Sequence, residues 1–458
     1  MLHKKMLFFL SLFALLFLLS LFAFIGWDKV AGSQTLEECR HDPVGGNRDN
    51  LSSCIKLANA TDDSRLQFRL GVVFANGEGV QQDYVKAHEW YRKPAAQGSS
   101  GAQYNIGVMY HNGQGVQQDY AKALEWFTQA ATQGHPKAQY HIGFMHYNGQ
   151  GMPQDYAKAF EWFHQAAAND LGRAQNYLGT MYSYGQGVPQ DYGKAYEWYR
   201  EAAIKGNPKA QNSLGLMYLN GVGVQKDYAE AFEWFRKAVQ DGSHLAPNNL
   251  GLMYVRGAGV PQNYANAFEW FLKGAELGDS EAQSNLGVIY EKGHGLPPDY
   301  TKAFEWYQKA ALSGVPMAQH NLGSLYVKGE GIAQDYAKAL EWFRKAVLNG
   351  SQLAQNSLGL MYVNGAGVQR DPAKAFEWFL KGAELGDSEA QNNLGVMYQL
   401  DDGIPRDYVM AYMWHSLAAM QGNNLAIRNH AEISKRLTPE QITEGQRMTR
   451  EWIKAHSD

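Results

Sequence analysis

Residues 102–137 read AQYNIGVMYHNGQGVQQDYAKALEWFTQAATQGHPK, and this stretch decides the fold because the chain contains it in ten similar copies. Tryptophan recurs every 36 residues from Trp90 to Trp414, and a glycine follows the same interval from Gly71 to Gly395. No copy contains an insertion that shifts this register. A fixed period of this length is typical of stacked repeats, in which each unit buries its apolar face only against its neighbours.

The first half of the unit predicts an amphipathic helix. Ala102, Ile106 and Met109 follow helical spacing and therefore share one face. Gly107 lies beside that face, although glycine in a helix interior costs about 1 kcal/mol relative to alanine. We therefore expect Gly107 and its counterparts to let a partner helix approach closely. Residues 112–115 then end the helix, because their glycines supply the positive φ that a turn requires.

The second half of the unit begins with a predicted helix N-cap. Asp119 precedes the apolar residues of a second helix, where its carboxylate can accept hydrogen bonds from backbone N–H groups that lack a partner. Aspartate holds this position in nine copies, and Asn263 holds it in the sixth. In the ninth copy Pro372 follows Asp371, and proline suits the first helical position because its missing N–H needs no partner there.

The second helix is predicted to bury a stripe of large aromatic and small side chains: Ala123, Trp126, Phe127, Ala130 and Ala131. On this interpretation the tryptophan series packs in the core and is not a ligand-binding ladder. Gly134 is predicted to end the helix in the left-handed conformation. Pro94 predicts a kink or an early end in the second helix of the first copy. The fold class is therefore all-α, a solenoid of ten 36-residue helix-turn-helix repeats with helical caps.

These motifs resemble the Sel-one-like repeat (SLR) family of the tetratricopeptide-repeat-like superfamily. The resemblance rests on stretches such as residues 354–362, AQNSLGLMY, and residues 335–342, DYAKALEW, and it covers residues 66–425. It implies a right-handed superhelical solenoid whose concave groove is lined by the first helices. It also implies a role in assembling protein complexes, which is an analogy at the level of the fold.

Residues 1–27 are predicted to be a signal-anchor or a signal peptide. Lysines precede an apolar run over residues 6–27, and the next charge is Asp28. The run is longer than the usual signal core of about 7–15 residues and fits a membrane-spanning helix of about 20. An uncleaved segment would anchor the chain in the inner membrane with the repeats in the periplasm. The alternative is cleavage before Ser33, which would leave a periplasmic or secreted protein.

The two ends of the repeat array are predicted to be capped. Residues 28–65 form the amino-terminal cap, in which Cys39 and Cys54 would pair in an oxidising compartment. Such a disulfide would contribute about 3 kcal/mol in the chain-entropy model, and the alternative is two unpaired thiols. Residues 426–458 form a helical cap, since Thr438 is followed by proline and then by a glutamine three residues after the cap.

Composition and motifs argue against several classes of function. The net charge of −4 gives no basis for the phosphate-driven affinity of a nucleic-acid-binding protein. The fourteen histidines show no metal-binding spacing, and the recurring Gly-x-Gly follows a helix instead of the strand that a dinucleotide site requires. We therefore expect no metal, no cofactor and no catalytic residue.

The candidate binding residues come from positions at which the repeats differ. By analogy with tetratricopeptide geometry, the third residue of each unit and its neighbours face the groove. The candidates are Tyr104, His111, Tyr140, Phe144, Tyr147, Asn176, Asn212, Asn248, His320, Asn356 and Asn392. Asparagine amides can donate to and accept from a peptide backbone, and rigid aromatic side chains often anchor interfaces. The hypothesis is that the groove holds an extended peptide or a partner's helix. The alternative is that the asparagines merely tolerate exposure while the aromatic residues pack between repeats.

The resulting functional hypothesis is an extracytoplasmic, noncatalytic scaffold or adaptor that binds an envelope, secreted or host protein. One alternative is a cell-wall-acting enzyme, a β-lactamase or a peptidoglycan-modifying protein. That alternative comes from cysteine-rich relatives with a cysteine pair in each repeat, and the ten repeats of this chain contain no cysteine. A second alternative is a glycan-binding module that uses the end of the groove around Tyr104 and Tyr140.

Overall fold

The computed structural model describes residues 35–44, 48–401 and 403–456, and every regular element in these ranges is an α-helix. In chain order they are α1 (Leu36–His41), α2 (Arg48–Thr61), α3 (Ser64–Asn76), α4 (Tyr84–Ala96), α5 (Ser100–Asn112), α6 (Tyr120–Thr132), α7 (Pro136–Asn148), α8 (Tyr156–Ala168), α9 (Gly172–Tyr184), α10 (Tyr192–Ile204), α11 (Pro208–Asn220), α12 (Tyr228–Gln240), α13 (Ala246–Arg256), α14 (Tyr264–Glu276), α15 (Ser280–Lys292), α16 (Tyr300–Leu312), α17 (Pro316–Lys328), α18 (Tyr336–Leu348), α19 (Leu353–Asn364), α20 (Pro372–Glu384), α21 (Ser388–Leu400), α22 (Tyr408–Met420), α23 (Asn424–Ser434) and α24 (Pro439–Ala455).

The helices α3 to α22 form the ten repeats, so odd numbers are first helices and even numbers are second helices. The predicted all-α solenoid is therefore confirmed. The chain divides into two compact units, Met1–Met217 with Gly221–Gln225 and Tyr218–Asn220 with Lys226–Asp458. The first unit holds four complete repeats, α3 to α10, and the second holds five, α13 to α22.

The turns of the second repeat form as the sequence predicts. Gly113 ends α5 in the left-handed conformation with φ 71°, and Gly134 follows α6 with φ 79°. The carboxylate of Asp119 accepts a hydrogen bond from the backbone N–H of Lys122 at 3.0 Å. The equivalent aspartate caps the second helix in eight further repeats, and Asn263 makes the same cap on α14. The repeated cap fixes where each second helix starts.

In nine of the ten repeats, the glycine inside the first helix lies against an aromatic ring of the second helix. A Cβ atom added to Gly107 would lie 2.6 Å from Cδ1 of Phe127. The same position meets Phe271 at Gly251 and the His415 ring in the tenth repeat. The close approach predicted for these glycines is thus confirmed, and a buried ring fills the space that the missing side chain leaves.

The tryptophan series occupies a different place from the one predicted. Trp126 is half-buried, whereas Phe127, one residue later, is fully buried. Trp162 flanks the core that α6 and α7 form together. Adjacent residues of a helix point about 100° apart, so one of the two aromatic side chains faces the first helix and the other lies at the edge of the core. Trp414 differs from this pattern, because α24 covers it and only 4% of its surface is exposed.

Pro94 does not shorten its helix, contrary to the early end allowed by the sequence prediction. The helix α4 has 13 residues, the same length as α6. Pro94 lies in the last turn, and the N–H of Gln97 still donates to the carbonyl of Lys93 at 3.0 Å. The proline therefore removes a single hydrogen bond near the helix end, where few bonds remain to be broken.

The described part of the amino-terminal cap is tied to the first repeat. Cys39 and Cys54 form a disulfide between α1 and α2, with their Cα atoms 5.5 Å apart. Both cysteines are fully buried in a cluster with Leu66 and Leu70 of α3. Among the described residues, no helix has the length and apolar character needed to cross a bilayer. The predicted leader, residues 1–27, lies outside the described residues.

The carboxy-terminal segment contains two helices with different contacts. The helix α23 packs on α22, and the amide of its Asn429 donates to Asn392 of α21, as an eleventh first helix would. The last helix, α24, begins with the predicted capping box, in which Thr438 and Gln441 each accept a hydrogen bond from the other's backbone N–H. It packs against α22 and brings Trp452 against Trp414.

Candidate functional site

Side-chain hydrogen bonds join the first helices of successive repeats at equivalent positions. In the first unit, the hydroxyl of Tyr104 lies 3.2 Å from Nε2 of His141. In the second unit, the amide of Asn285 donates to Oδ1 of Asn248 at 2.8 Å. Both pairs are separated by 37 residues in the sequence. We call this series the ladder, and further rungs are His320 with Ser357, Asn356 with Asn393, and Asn392 with Asn429.

The ladder occupies several of the asparagines predicted to bind a partner. Asn356 is only 4% exposed, and it donates to Glu389 while it accepts from Asn393. Asn392 is also buried, as is Asn212, whereas Asn248 and His320 are half-buried. The side chains of Asn248, His320, Asn356 and Asn392 hydrogen-bond to the following repeat or to the carboxy-terminal cap. The described hydrogen bonds of these four residues therefore hold neighbouring hairpins together.

A second set of bonds between repeats uses a glutamine that the sequence analysis did not single out. The side chain of Gln103 in α5 donates to the carbonyl of Ala95 at the end of α4, at 3.1 Å. Equivalent glutamines in other repeats make the same bond, and they are Gln139, Gln211, Gln283, Gln319 and Gln391. Each glutamine adds a second hydrogen bond to a carbonyl that also accepts from the backbone N–H of the glycine after the helix, as Ala95 does from Gly98. Glutamine directly follows the alanine of the first helix in eight of the ten copies, and this recurrence was the available signal.

The first unit gathers aromatic side chains on the first helices α5, α7 and α9. The ring centroids of Tyr140 and Tyr177 are 5.9 Å apart, and Tyr177 also contacts Phe144 at 6.1 Å and Tyr147 at 5.2 Å. Tyr104 stacks on His135, beside His141. We call the half-buried rings of Tyr104, Tyr140, Phe144, Tyr147 and Tyr177 the aromatic face. Four of these five residues were predicted from the sequence, and Tyr177 was missed.

The polar groups of the aromatic face are uncharged near neutral pH. Burial raises the pKa of Tyr140 and raises that of Tyr177 to about 12. Burial also lowers the pKa of His141 to about 4, and the nearby His111 and Arg173 act in the same direction. His111 itself lies 2.9 Å from Oε1 of Gln150 through its Nε2 atom. The face therefore offers neutral hydrogen-bonding groups around apolar rings.

Two cavities open beside the aromatic face, at the amino-terminal ends of α7, α9 and α11. Their volumes are about 560 Å³ and about 360 Å³, and both are lined by Tyr140, Arg173, Asn207 and Pro208. The larger also contacts Tyr104 and the smaller also contacts Tyr177. We refer to the two together as the basic cavity, because Lys137, Arg173, Lys205 and Lys209 line it against a single carboxylate, Asp170.

Asn176 is the predicted asparagine that lines the basic cavity. It is 8% exposed, and its Oδ1 atom is buried without a hydrogen-bond partner among the described residues. A buried acceptor without a partner is uncommon, because it has lost its hydrogen bonds to water and gained none from the protein. The structure therefore brings Tyr104, Tyr140 and Asn176 to one cavity. It also adds the basic residues, which were not predicted because the candidates were taken from the third residue of each unit and its neighbours.

Comparison of the chain with known protein families identifies its repeats. The Sel1 repeat family matches ten consecutive segments, 64–99, 100–135, 136–171, 172–207, 208–243, 245–279, 280–315, 316–351, 352–387 and 388–423. The first match begins at residue 64, where α3 begins, two residues before the predicted boundary at residue 66. No match to the chain is found among curated proteins.

Two solved structures are similar over most of their own length. A protective antigen present in uropathogenic Escherichia coli strains, which displays an SLR fold, is 35% identical, with 88% of this chain and 94% of that chain covered and a TM-score of 0.53. A Sel1 repeat protein from Oxalobacter formigenes is 32% identical, with 68% of this chain and 90% of that chain covered and a TM-score of 0.50. Sel1-repeat solenoids are typically protein-interaction scaffolds. The ten matched segments and these similarities show that the chain belongs to the Sel1-repeat family.

Proposed function

We propose that this chain is a noncatalytic scaffold that binds a peptide segment of a partner protein on the aromatic face of its first unit. The observation that carries the proposal is the half-buried cluster of five aromatic side chains next to an open cavity. Tyrosine is enriched among the residues that dominate binding energy, because a rigid ring buries a large area at a small entropic cost. Four of the remaining predicted residues, Asn248, His320, Asn356 and Asn392, act as ladder positions within the second unit.

The ladder supports this proposal by keeping the surface fixed before a partner arrives. The hydroxyl of Tyr104 bonds to His141, and the hydroxyl of Tyr147 donates to Gln186 at 2.7 Å. Each bond joins one first helix to the next repeat. A surface whose side chains are already ordered loses less entropy on binding, so more of the contact energy appears as affinity.

We also propose that the repeats lie outside the cytoplasm, with a partner in the cell envelope or in a host. The disulfide between Cys39 and Cys54 supports this location, because such bonds persist mainly in oxidising compartments. The apolar run over residues 6–27 supports anchorage in the inner membrane with the repeats in the periplasm. Release after signal cleavage is the alternative form of the same proposal.

Site-specific photo-crosslinking in cells tests the binding proposal. A photoreactive phenylalanine analogue would replace Tyr104 or Tyr140, one at a time, and Gln129 on the exposed side of α6 would serve as the control position. We expect a discrete protein adduct from the two aromatic positions and none from position 129. Adducts only with glycan strands would favour the glycan-binding alternative. An adduct pattern that is the same at all three positions, or no adduct, would overturn the proposal.

A further inference from the structure

We propose that the basic cavity binds the carboxylates of an acidic, extended peptide segment, and this inference rests on the proposed function of the aromatic face. The first evidence is the balance of charge. Lys205 is engaged, since its ammonium group lies 2.7 Å from Asp170 and donates to Gln175. The other three basic side chains of the cavity, Lys137, Arg173 and Lys209, have no ion pair among the described residues and are exposed.

The spacing of these three cations fits an extended chain. Residues 137, 173 and 209 hold the same position, the second residue of α7, α9 and α11. Neighbouring first helices touch through their side chains, so their axes are about 8–10 Å apart. An extended peptide in the polyproline II conformation advances about 3.1 Å per residue and has three residues per turn. Every third side chain then lies on the same side of the chain, about 9 Å from the next. Carboxylates at every third residue of a bound segment would therefore face successive cations.

The uncharged groups of the cavity complete the fit to a peptide. The rings of Tyr140 and Tyr177 form an apolar wall beside Arg173. The side chain of Asn176 lines the same cavity, and rotation of its amide would turn the Oδ1 atom, which lacks a partner among the described residues, toward a backbone N–H of the ligand. Arg173 carries a guanidinium group that can bind a carboxylate with two parallel hydrogen bonds. The cavity thus matches both the side chains and the backbone of an acidic segment.

The equivalent position of the repeat is not basic in the second unit. It reads Leu245, Glu281, Met317, Leu353 and Glu389 in the sixth to tenth repeats. The positive charge is therefore a local property of the first unit and not a requirement of the repeat. A position that packing leaves free, yet that is basic in three successive repeats, is better explained by a ligand than by the fold.

Fluorescence anisotropy with a defined probe tests this inference on the purified protein. The probe is a fluorescein-labelled synthetic peptide with glutamate at every third position, and its control carries glutamine in place of each glutamate. We expect the glutamate peptide to bind and the glutamine peptide to bind at least about tenfold more weakly, which is about 1.4 kcal/mol. Arg173→Gln should weaken binding of the glutamate peptide by about tenfold. Arg200→Gln is the matched control, because Arg200 is exposed on the second helix α10.

The outcomes separate this inference from the proposed function. Equal binding of the two peptides, equal effects of Arg173→Gln and Arg200→Gln, or no binding of the glutamate peptide would each overturn the acidic-peptide inference. A protein adduct at Tyr140 together with any of these results would leave the scaffold proposal standing with a different ligand chemistry. Absence of both the adduct and peptide binding would overturn both.

Discussion

At the scale of single residues, the contact between a first-helix glycine and an aromatic ring sets how closely the two helices of a repeat approach. The Phe127 ring packs directly against Gly107, and a side chain at position 107 would collide with the ring. The ring is fully buried, so it cannot move aside into solvent. The loss of helix propensity at glycine is thus offset by the packing of a large apolar group.

Gly107→Ala should therefore destabilise the protein even though alanine is the better helix former. The added methyl group forces the ring or the helix to shift, which typically costs about 1–3 kcal/mol. Urea unfolding followed by circular dichroism would measure this loss as a lower midpoint.

The matched control for that substitution is Gly193→Ala on α10. Gly193 is exposed, and most other repeats already carry alanine at the equivalent position, as Ala121 and Ala157 do. We expect this control to gain up to about 1 kcal/mol from helix propensity. A gain of similar size for Gly107→Ala would contradict the packing role of Gly107.

The sequence alone predicts that the partner helix approaches these glycines closely. It does not predict which aromatic residue of that helix makes the contact. Trp126 and Phe127 are adjacent and both large, and helical periodicity assigns both to the buried stripe. Their separation depends on the rotation of α6 about its axis, which only the packed hairpin fixes. Both residues were therefore predicted to be buried, whereas the structure buries Phe127 fully and Trp126 only in part.

At the scale of the helix, the capping carboxylates link stability to pH. Hydrogen bonds from the backbone N–H of Lys338 lower the pKa of Asp335 below its ordinary value of 3.8, and the cap aspartates of α16 and α20, Asp299 and Asp371, are shifted in the same direction by the same cause. A carboxyl with a lowered folded-state pKa contributes stability above its unfolded pKa. That contribution is lost as the pH falls through the folded-state pKa.

A variant with Asp299→Asn, Asp335→Asn and Asp371→Asn should therefore lose less stability on acidification than the wild type. Asparagine keeps the cap, as Asn263 does on α14, but it does not titrate in this range. Urea midpoints compared at about pH 5 and about pH 2 would show a smaller decrease for the variant. Glu305→Gln, an exposed change on α16, is the control that should behave like the wild type. An identical decrease in all three proteins would contradict the prediction.

Helix boundaries were predictable because ten copies repeat the same cap and turn residues. The effect of Pro94 was not, since proline at the last turn of a helix removes only one bond and its cost depends on where that turn ends. The glutamine bonds between repeats were also missed. Gln103 bonds to a carbonyl of the preceding hairpin, and this partner is visible only when two hairpins are stacked.

At the scale of the whole molecule, the two ends of the array are closed by different devices. The disulfide-linked helices α1 and α2 pack on α3 of the first repeat, whereas α24 packs on α22 of the last. In a stacked array each repeat contacts only its neighbours, so the removal of one end is felt mainly by the adjacent repeat. Stability is therefore expected to vary along the chain.

The double variant Cys39→Ser with Cys54→Ser should loosen the first repeat and leave the last unchanged. Loss of the disulfide removes about 3 kcal/mol of stabilisation from the segment that packs on α3. Hydrogen–deuterium exchange should become faster in α3 and α4 while α21 and α22 keep their protection. Ser52→Ala, an exposed change on α2, is the control and should leave exchange as it is. Equally faster exchange in every repeat, or unchanged exchange in α3 and α4, would contradict the expectation that each repeat is stabilised by its neighbours alone.

The candidate site was only partly predictable, because stacking creates it. Tyr104 and Tyr140 stood out by their type at a position that varies among repeats. Arg173 and Lys209 gave no local signal, since they are far apart in the sequence and meet only when first helices lie side by side. Asn356 was assigned to a groove by analogy, whereas its amide lies buried against the next repeat.

The constant offset of the ladder bears on how such a gene can change. Tyr104 meets His141 and Asn392 meets Asn429 across the same interval, so each junction between neighbouring repeats is built to one plan. Recombination between the similar coding copies removes or adds DNA for whole units. The new junction then joins two surfaces that are already complementary. The reading frame is kept because each unit is a whole number of codons. The number of repeats in this protein can thus change by whole units during evolution, while the contacts between neighbouring repeats stay the same.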